Sequence, residues 1–336
     1  MGTWGTAGMT IVIRRHWQQN GSRMIVFSRI RLVAWILAWT TAGLGAFAAD
    51  SDIETLRIKA EAGDPVAQYA LGMSYVRGTD VAKDSQEAFR WIHKAAAQGN
   101  VFAQSYLGLM YASGDGVAKD PAIAVQWYRK AAEQGDLDAE RNLALACSLG
   151  QGTAIDPSAA VKWYRKAAAQ GDADAECNLG VCYSLGQGVA KDQAEAINWL
   201  LKAADQNHPT ALFNLGDIYS NGLGVRKDLK EAIKWYRRAA EQGEANAQFN
   251  LSMMYASGQG ARKDLVEALA WANVSAISGD SEAVRNRAFL EHRAGRMKSA
   301  LAQQRSIELV KLIEANKAAR ATSGKPPAPV PSASHG

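Results

Sequence analysis

Trp91, Trp127, Trp163, Trp199, Trp235 and Trp271 stand 36 residues apart without a slip. A period of that length marks stacked copies of one supersecondary unit, each with an apolar face it cannot bury alone. The expected product is an elongated stack in which a unit touches its neighbours, with no single enclosed active site. Four further columns keep the frame: aspartates from Asp84 to Asp264, glycines from Gly78 to Gly258, leucines from Leu71 to Leu251 and alanines from Ala67 to Ala283. They define six full copies and the start of a seventh.

Within the second copy, Ala103, Leu107, Met110, Tyr111 and Gly114 follow spacings of three and four, which place them on one side of a helix, called A. Helix A stops at Gly114, since the glycines of the G-D-G-V-A-K-D stretch suit a reversal. Asp120 then precedes Pro121, as Asp156 precedes Pro157. An aspartate that accepts the free amides of a first turn, followed by a proline that lacks the spare N–H, starts a helix. In this helix B, Ala124, Trp127 and Ala131, with Ile123 and Tyr128, form the apolar stripe, and Gly135 closes it. Asn207 replaces that closing glycine once, as the next residue tolerant of a left-handed backbone. Small alanines let helices approach, and tryptophan is expected to fill the gap between hairpins.

The pattern N-L-G-x-x-Y-x-x-G-x-G-V-x-K-D followed by A-x-x-W-Y-x-K-A-A-x-Q-G resembles the Sel-1-like repeat family, relatives of the tetratricopeptide solenoids, from about Leu56 to about Ala288. The resemblance implies an all-α fold, an α-solenoid of 36-residue helix-turn-helix repeats with a C-terminal capping helix. Departures are Asp80 at the second loop glycine, Ile155 at the loop lysine, and Ala144 and Ser252 at the glycine after leucine. The expected organisation is a leader over 1–48, an N-terminal capping helix over 49–63 and six repeats over 64–279. A partial repeat with the C-terminal capping helix follows over 280–320, then a disordered tail rich in proline over 321–336.

The first 48 residues hold five arginines and no acid, and removing them from the 38 basic residues leaves 33, equal to the 33 acidic ones. The body is therefore neutral, which gives no support to nucleic-acid binding. From Met24, a candidate true start, Arg29 and Arg31 precede an apolar run and the Ala46-Phe47-Ala48 site, the layout of a cleaved secretory signal. Removal before Ala49 predicts a periplasmic or secreted protein with no membrane attachment. The uncharged stretch Leu32 to Ala49 also has the length of a span, and its retention would leave the chain anchored at the inner membrane.

No metalloprotease, nucleophile-elbow, P-loop or Ser-x-x-Lys motif is present, and the histidines lack metal-ligand spacing, so no cofactor or metal is implied. His93 and His208 read as helix-surface and helix-start residues. Some Sel-1-like proteins with a cysteine pair in every repeat have been called β-lactamases, but those pairs are missing here. Cys147, Cys177 and Cys182 are too few for a disulfide scaffold. Cys147 and Cys182 either bond in an oxidising compartment or, the preferred reading, pack as free small hydrophobes.

The resemblance also implies that A helices line the concave face. At 100° per residue, the columns of Tyr69 and Met73 fall opposite the packed columns. Their variation makes Tyr69, Met73, Arg141, Phe213, Asp217, Phe249 and Met253 candidate anchors for a protein or peptide. The alternative is that Phe213 and Phe249 pack within the stack. Asn142, Asn178, Asn214 and Asn250 border that face, either as a ladder for an extended peptide or as partners of nearby backbone. The function expected is a non-catalytic interaction scaffold in the envelope. An envelope enzyme acting on cell-wall or β-lactam substrates and a membrane-anchored regulatory subunit are the alternatives.

Overall fold

The computed structural model describes residues 53–322, which are helical throughout apart from turns, and residues 53–317 belong to one compact unit. The expected leader lies outside the described residues, as does the tail beyond Thr322. A short helix, α1 (Ile53–Glu61), leads into six hairpins. These are α2 (Pro65–Arg77) with α3 (Ser85–Ala97), α4 (Val101–Ser113) with α5 (Pro121–Glu133), and α6 (Leu137–Leu149) with α7 (Pro157–Ala169). The array continues with α8 (Ala173–Leu185) and α9 (Gln193–Asp205), α10 (Pro209–Asn221) and α11 (Leu229–Glu241), then α12 (Ala245–Ser257) and α13 (Leu265–Ser275). A 3₁₀ turn, Ala276–Ser278, leads to α14 (Ser281–Thr322). Packing runs chiefly between helices adjacent in sequence, which makes the array a solenoid.

Local chemistry sets the helix ends where the sequence places them. Each B helix starts at its column aspartate in extended backbone; Asp120 Oδ1, for example, accepts Ala122 N–H at 2.9 Å and Ile123 N–H at 3.1 Å. Each A helix ends at a left-handed glycine with φ between 67° and 84°. A second capping column, not recognised in the sequence, begins the A helices: Asp64, Asn100, Asp136, Asp172 and His208 each accept a first-turn amide. Glu244 holds the same position without a capping bond from its side chain.

Two glycine columns answer to the neighbouring helix. A Cβ on Gly108 would lie 2.6 Å from the Tyr128 ring, and one on Gly216 2.5 Å from Tyr236, so in these repeats the A helix lies directly against the ring that follows the tryptophan. In the sixth repeat Ser252 takes the glycine's place and Ala272 takes the ring's, which keeps the combined volume small. The second loop glycines sit on the preceding repeat: a Cβ on Gly152 would overlap the Pro121 carbonyl, and one on Gly188 the Pro157 carbonyl. Asp80 occupies this column in the first loop at φ 64°.

The tryptophans lie between hairpins as expected, but the deepest position is one residue further on. Ile92, Tyr128, Tyr164, Leu200 and Tyr236 are buried, whereas Trp91, Trp127, Trp199 and Trp235 are half-buried. Trp91 packs on Ala60, Ala67 and Leu71 of the preceding helices, and a lysine one turn on covers its ring. Lys94, Lys130, Lys166 and Lys202 stand 4.0, 4.0, 4.4 and 3.7 Å from the ring centroids of Trp91, Trp127, Trp163 and Trp199. A wide ring at the edge of the stripe can bury one face and offer the other to a cation.

Beyond the sixth hairpin, α14 breaks at Gly295 (φ 75°, ψ 167°) and its second half returns over the last repeats. Ala302, Ser306, Leu309 and Ile313, spaced at four, three and four, are its buried stripe. Arg305 Nε donates to Glu267 at 3.2 Å, Asn316 Nδ2 donates to Glu241 O at 3.0 Å, and Ile313 lies beside Gly243. Trp271 is 0% exposed, with its indole N–H donating to Glu267 at 3.0 Å.

Candidate functional site

The two A-helix columns expected to face solvent are largely consumed by the stack. Met73, Phe213 and Asp217 are buried, contrary to that expectation, while Tyr69, Arg141, Phe249 and Met253 are half-buried. On a single helical wheel helix A has one packed side. The array packs it on two, its own B helix and the next repeat, so the strip left to solvent is narrow. Phe213 lies 5.8 Å from the Tyr236 ring, and Asp217 accepts the Tyr236 hydroxyl at 2.5 Å, so both serve the interior of the fifth repeat. This is the packing alternative for Phe213.

The column of Tyr69 meets the next repeat's helix start. Tyr69 stacks on Phe102 at 6.3 Å, and Ser105 bonds Asp136. Arg141 pairs with Asp138 of its own helix and with Asp172 Oδ2 at 2.6 Å across the junction. Burial opposes the Arg141 charge, but the Asp172 and Asp138 carboxylates outweigh it and raise its pKa. Cys177 bonds His208, whose Nε2 lies 2.9 Å from Asp174 Oδ1 while its Nδ1 accepts Ala211 N–H at 3.2 Å. Burial disfavours charge on His208, whereas Cys177 and Asp174 act to raise its pKa. His208 is thus the helix-start residue the sequence suggested, now with partners on both ring nitrogens.

Of the asparagine ladder, Asn250 bonds the Tyr236 hydroxyl, whereas the Asn214 amide is buried with no hydrogen-bond partner in the protein. Cys147, Cys177 and Cys182 are all free and buried, so no bond joins Cys147 to Cys182. Both of those lie in one apolar cluster with Leu143 and Leu179, and burial pushes the Cys182 thiol up to about 11. Among the described residues there is no group of three or more His, Cys, Asp or Glu placed to hold a metal ion. Nor is any described helix long and apolar enough to cross a membrane.

The exposed feature of the A helices lies three residues before the expected column, in the first turn. It reads Val66, Phe102, Asp138, Asp174, Thr210 and Asn246, of which Thr210 and Asn246 are half-buried. Val66 is 54% and Phe102 64% exposed, so the first two repeats present an apolar patch beside Tyr69. In the third and fourth repeats Asp138 and Asp174 are exposed carboxylates at 47% and 62%. The change along this column was visible in the sequence, but its exposure follows from the stacking of neighbouring repeats. A second surface feature, an open hollow of about 560 Å³, lies along α3 between Phe89, Trp91, His93 and Tyr111.

The Sel1 repeat profile matches six consecutive segments, 65–100, 101–136, 137–172, 173–208, 209–244 and 245–280. Among solved structures, a protective antigen of uropathogenic Escherichia coli strains with an SLR fold is 35% identical. It aligns with 77% of this chain and 56% of its own, at a TM-score of 0.70. A Sel1 repeat protein from Oxalobacter formigenes is also 35% identical, over 68% of this chain and 100% of that one, at a TM-score of 0.59. A sel1-like repeat-containing protein, L18, of Acanthamoeba polyphaga mimivirus is 44% identical over 45 residues, 13% of this chain and 8% of the viral protein. The chain thus spans about half of the Escherichia coli antigen and a small part of the viral relative.

Proposed function

Because the chain belongs to the Sel1 repeat family, whose members are in general protein-interaction scaffolds, we propose that it is a non-catalytic scaffold that binds a protein or peptide along the first turns of its A helices. The observation that carries this reading is the column from Val66 to Asn246, exposed at Val66, Phe102 and Asp174 and half-buried elsewhere. It has no uniform packing role, and it changes from apolar in the first two repeats to acidic in the third and fourth. A partner fitting it has an apolar anchor for Phe102, Val66 and Tyr69, followed by basic groups that add to Arg141 and His208, which already pair with Asp138 and Asp174. Of the anchors drawn from the sequence, Tyr69, Phe249 and Met253 retain partial exposure and can border such a partner.

The leader supports placing this scaffold in the bacterial envelope, periplasmic or secreted after cleavage before Ala49. A mature chain whose mass begins at Ala49 supports that location, and retention of Leu32 to Ala49 refutes it. For binding, a photo-cross-linking residue at Phe102 should give a discrete adduct in intact cells, whereas one at the exposed B-helix position Gln126 should give none. Adducts from Gln126 alone would overturn the assignment of the surface.

A further inference from the structure

The residue after the A-helix alanine bridges successive repeats. In repeats one, two and six it is glutamine, and its amide donates backwards: Gln68 to Ala60 O at 3.0 Å, Gln104 to Ala96 O at 3.2 Å and Gln248 to Ala240 O at 3.2 Å. Its oxygen accepts forwards, Gln68 from Gln98 at 2.7 Å and Gln104 from Gln134 at 2.8 Å. One side chain so ties the helix before it to the helix after it.

Repeats three and four carry Glu140 and Glu176 at this position, 3% and 5% exposed. The forward half of the bridge survives, since Gln170 donates to Glu140 and Gln206 to Glu176, both at 2.9 Å. The backward half needs a donor, and an ionised carboxylate has none. Ala132 and Ala168 are the counterparts of Ala96, and their carbonyls would then face a second oxygen in the amide's place.

We propose that Glu140 and Glu176 are pH-sensitive joints: on protonation each donates to the carbonyl of Ala132 or Ala168, completes the bridge made by glutamine elsewhere, and tightens the middle of the array.

The groups around both carboxyls agree with this direction. Glu140 faces Gln170 and Lys166 from the α7 side and Asp136 at its own helix start. Glu176 faces Gln206 and Lys202 from the α9 side, Asp172 at its own helix start and His208 at the start of α10. Burial raises both pKa values, against the lowering effect of the glutamine bond and the lysine. A carboxyl whose folded pKa lies above its unfolded value adds stability that is complete below the unfolded value. That stability is lost as pH rises through the folded one. The joints are therefore loose at neutral pH and close on acidification.

Thermal melting of the full chain at neutral pH and at about pH 5 tests this. Replacing both carboxylates, Glu140→Gln with Glu176→Gln, should raise Tm at neutral pH by roughly 2–4 °C per site. The gain should shrink at the acid pH, where wild type makes the same bond. Gln104→Glu, which imports the joint into repeat two, should lower Tm at neutral pH and recover part of the loss in acid. A gain equal at both pH values, no gain at all, or a Gln104→Glu variant whose loss is independent of pH would each overturn the proposal.

Discussion

The two ends of the array are finished differently. At the N-terminal end the short helix α1 covers the first hairpin, Trp91 remains half-buried, and Asp80 holds a left-handed position that glycine holds in every later loop. At the C-terminal end the returning half of α14 lies over the last hairpins, and Trp271 is wholly buried. The same column of the repeat thus carries different constraints at its two ends. In a stack, what a residue must satisfy is set by the repeat beside it as much as by its own helix or turn.

The sharpest test of this contrast is the tryptophan pair. Trp271→Ala should cost roughly 3–5 kcal/mol in thermal or urea unfolding, as a fully buried ring replaced by a cavity. Trp91→Ala should cost less, about 1–2 kcal/mol, because one face of that ring already meets Lys94. Equal losses would mean that α14 adds nothing to the burial of the last repeat.

Next in size is the loop column. Gly188→Asp imports the first loop's residue into the interior, where the new Cβ meets the Pro157 carbonyl, and should cost roughly 1–3 kcal/mol. The reverse change, Asp80→Gly, should stay within about 0.5 kcal/mol. If both were neutral, the loops would not bear on the preceding repeat.

Asp192→Ala removes the acceptor of the Ala194 and Glu195 amides and should cost about 1 kcal/mol wherever in the array the cap is tested, since a cap depends on its own helix. Smallest of all, Phe102→Ser should leave Tm nearly unchanged, because the side chain is mostly in solvent, while it removes partner capture. A large fall in Tm would assign Phe102 to packing against Tyr69 instead.

Features governed by a few adjacent residues were legible from the start: the B-helix aspartate caps, the glycine stops and the substitution by Asn207 all follow from local backbone chemistry. The site was far less legible. Phe213, Asp217 and Met73 looked solvent-facing on a single helical wheel, but the packed hairpins bury them, Phe213 and Asp217 against Tyr236 of their own repeat. The exposure of Phe102 and Val66 is not legible in the sequence, because apolar residues in a helix read as core by default.

By itself, then, the sequence determined the unit: its 36-residue period, its two helices, their caps and the small residues that let them approach. These depend on spacings of a few residues, which a chain displays directly. The tertiary structure decided which copies of a repeated residue are buried, and that Glu140 and Glu176 stand in a bridge built for an amide. Each of those depends on groups about 8 to 36 positions away in sequence, brought into contact only when successive repeats stack.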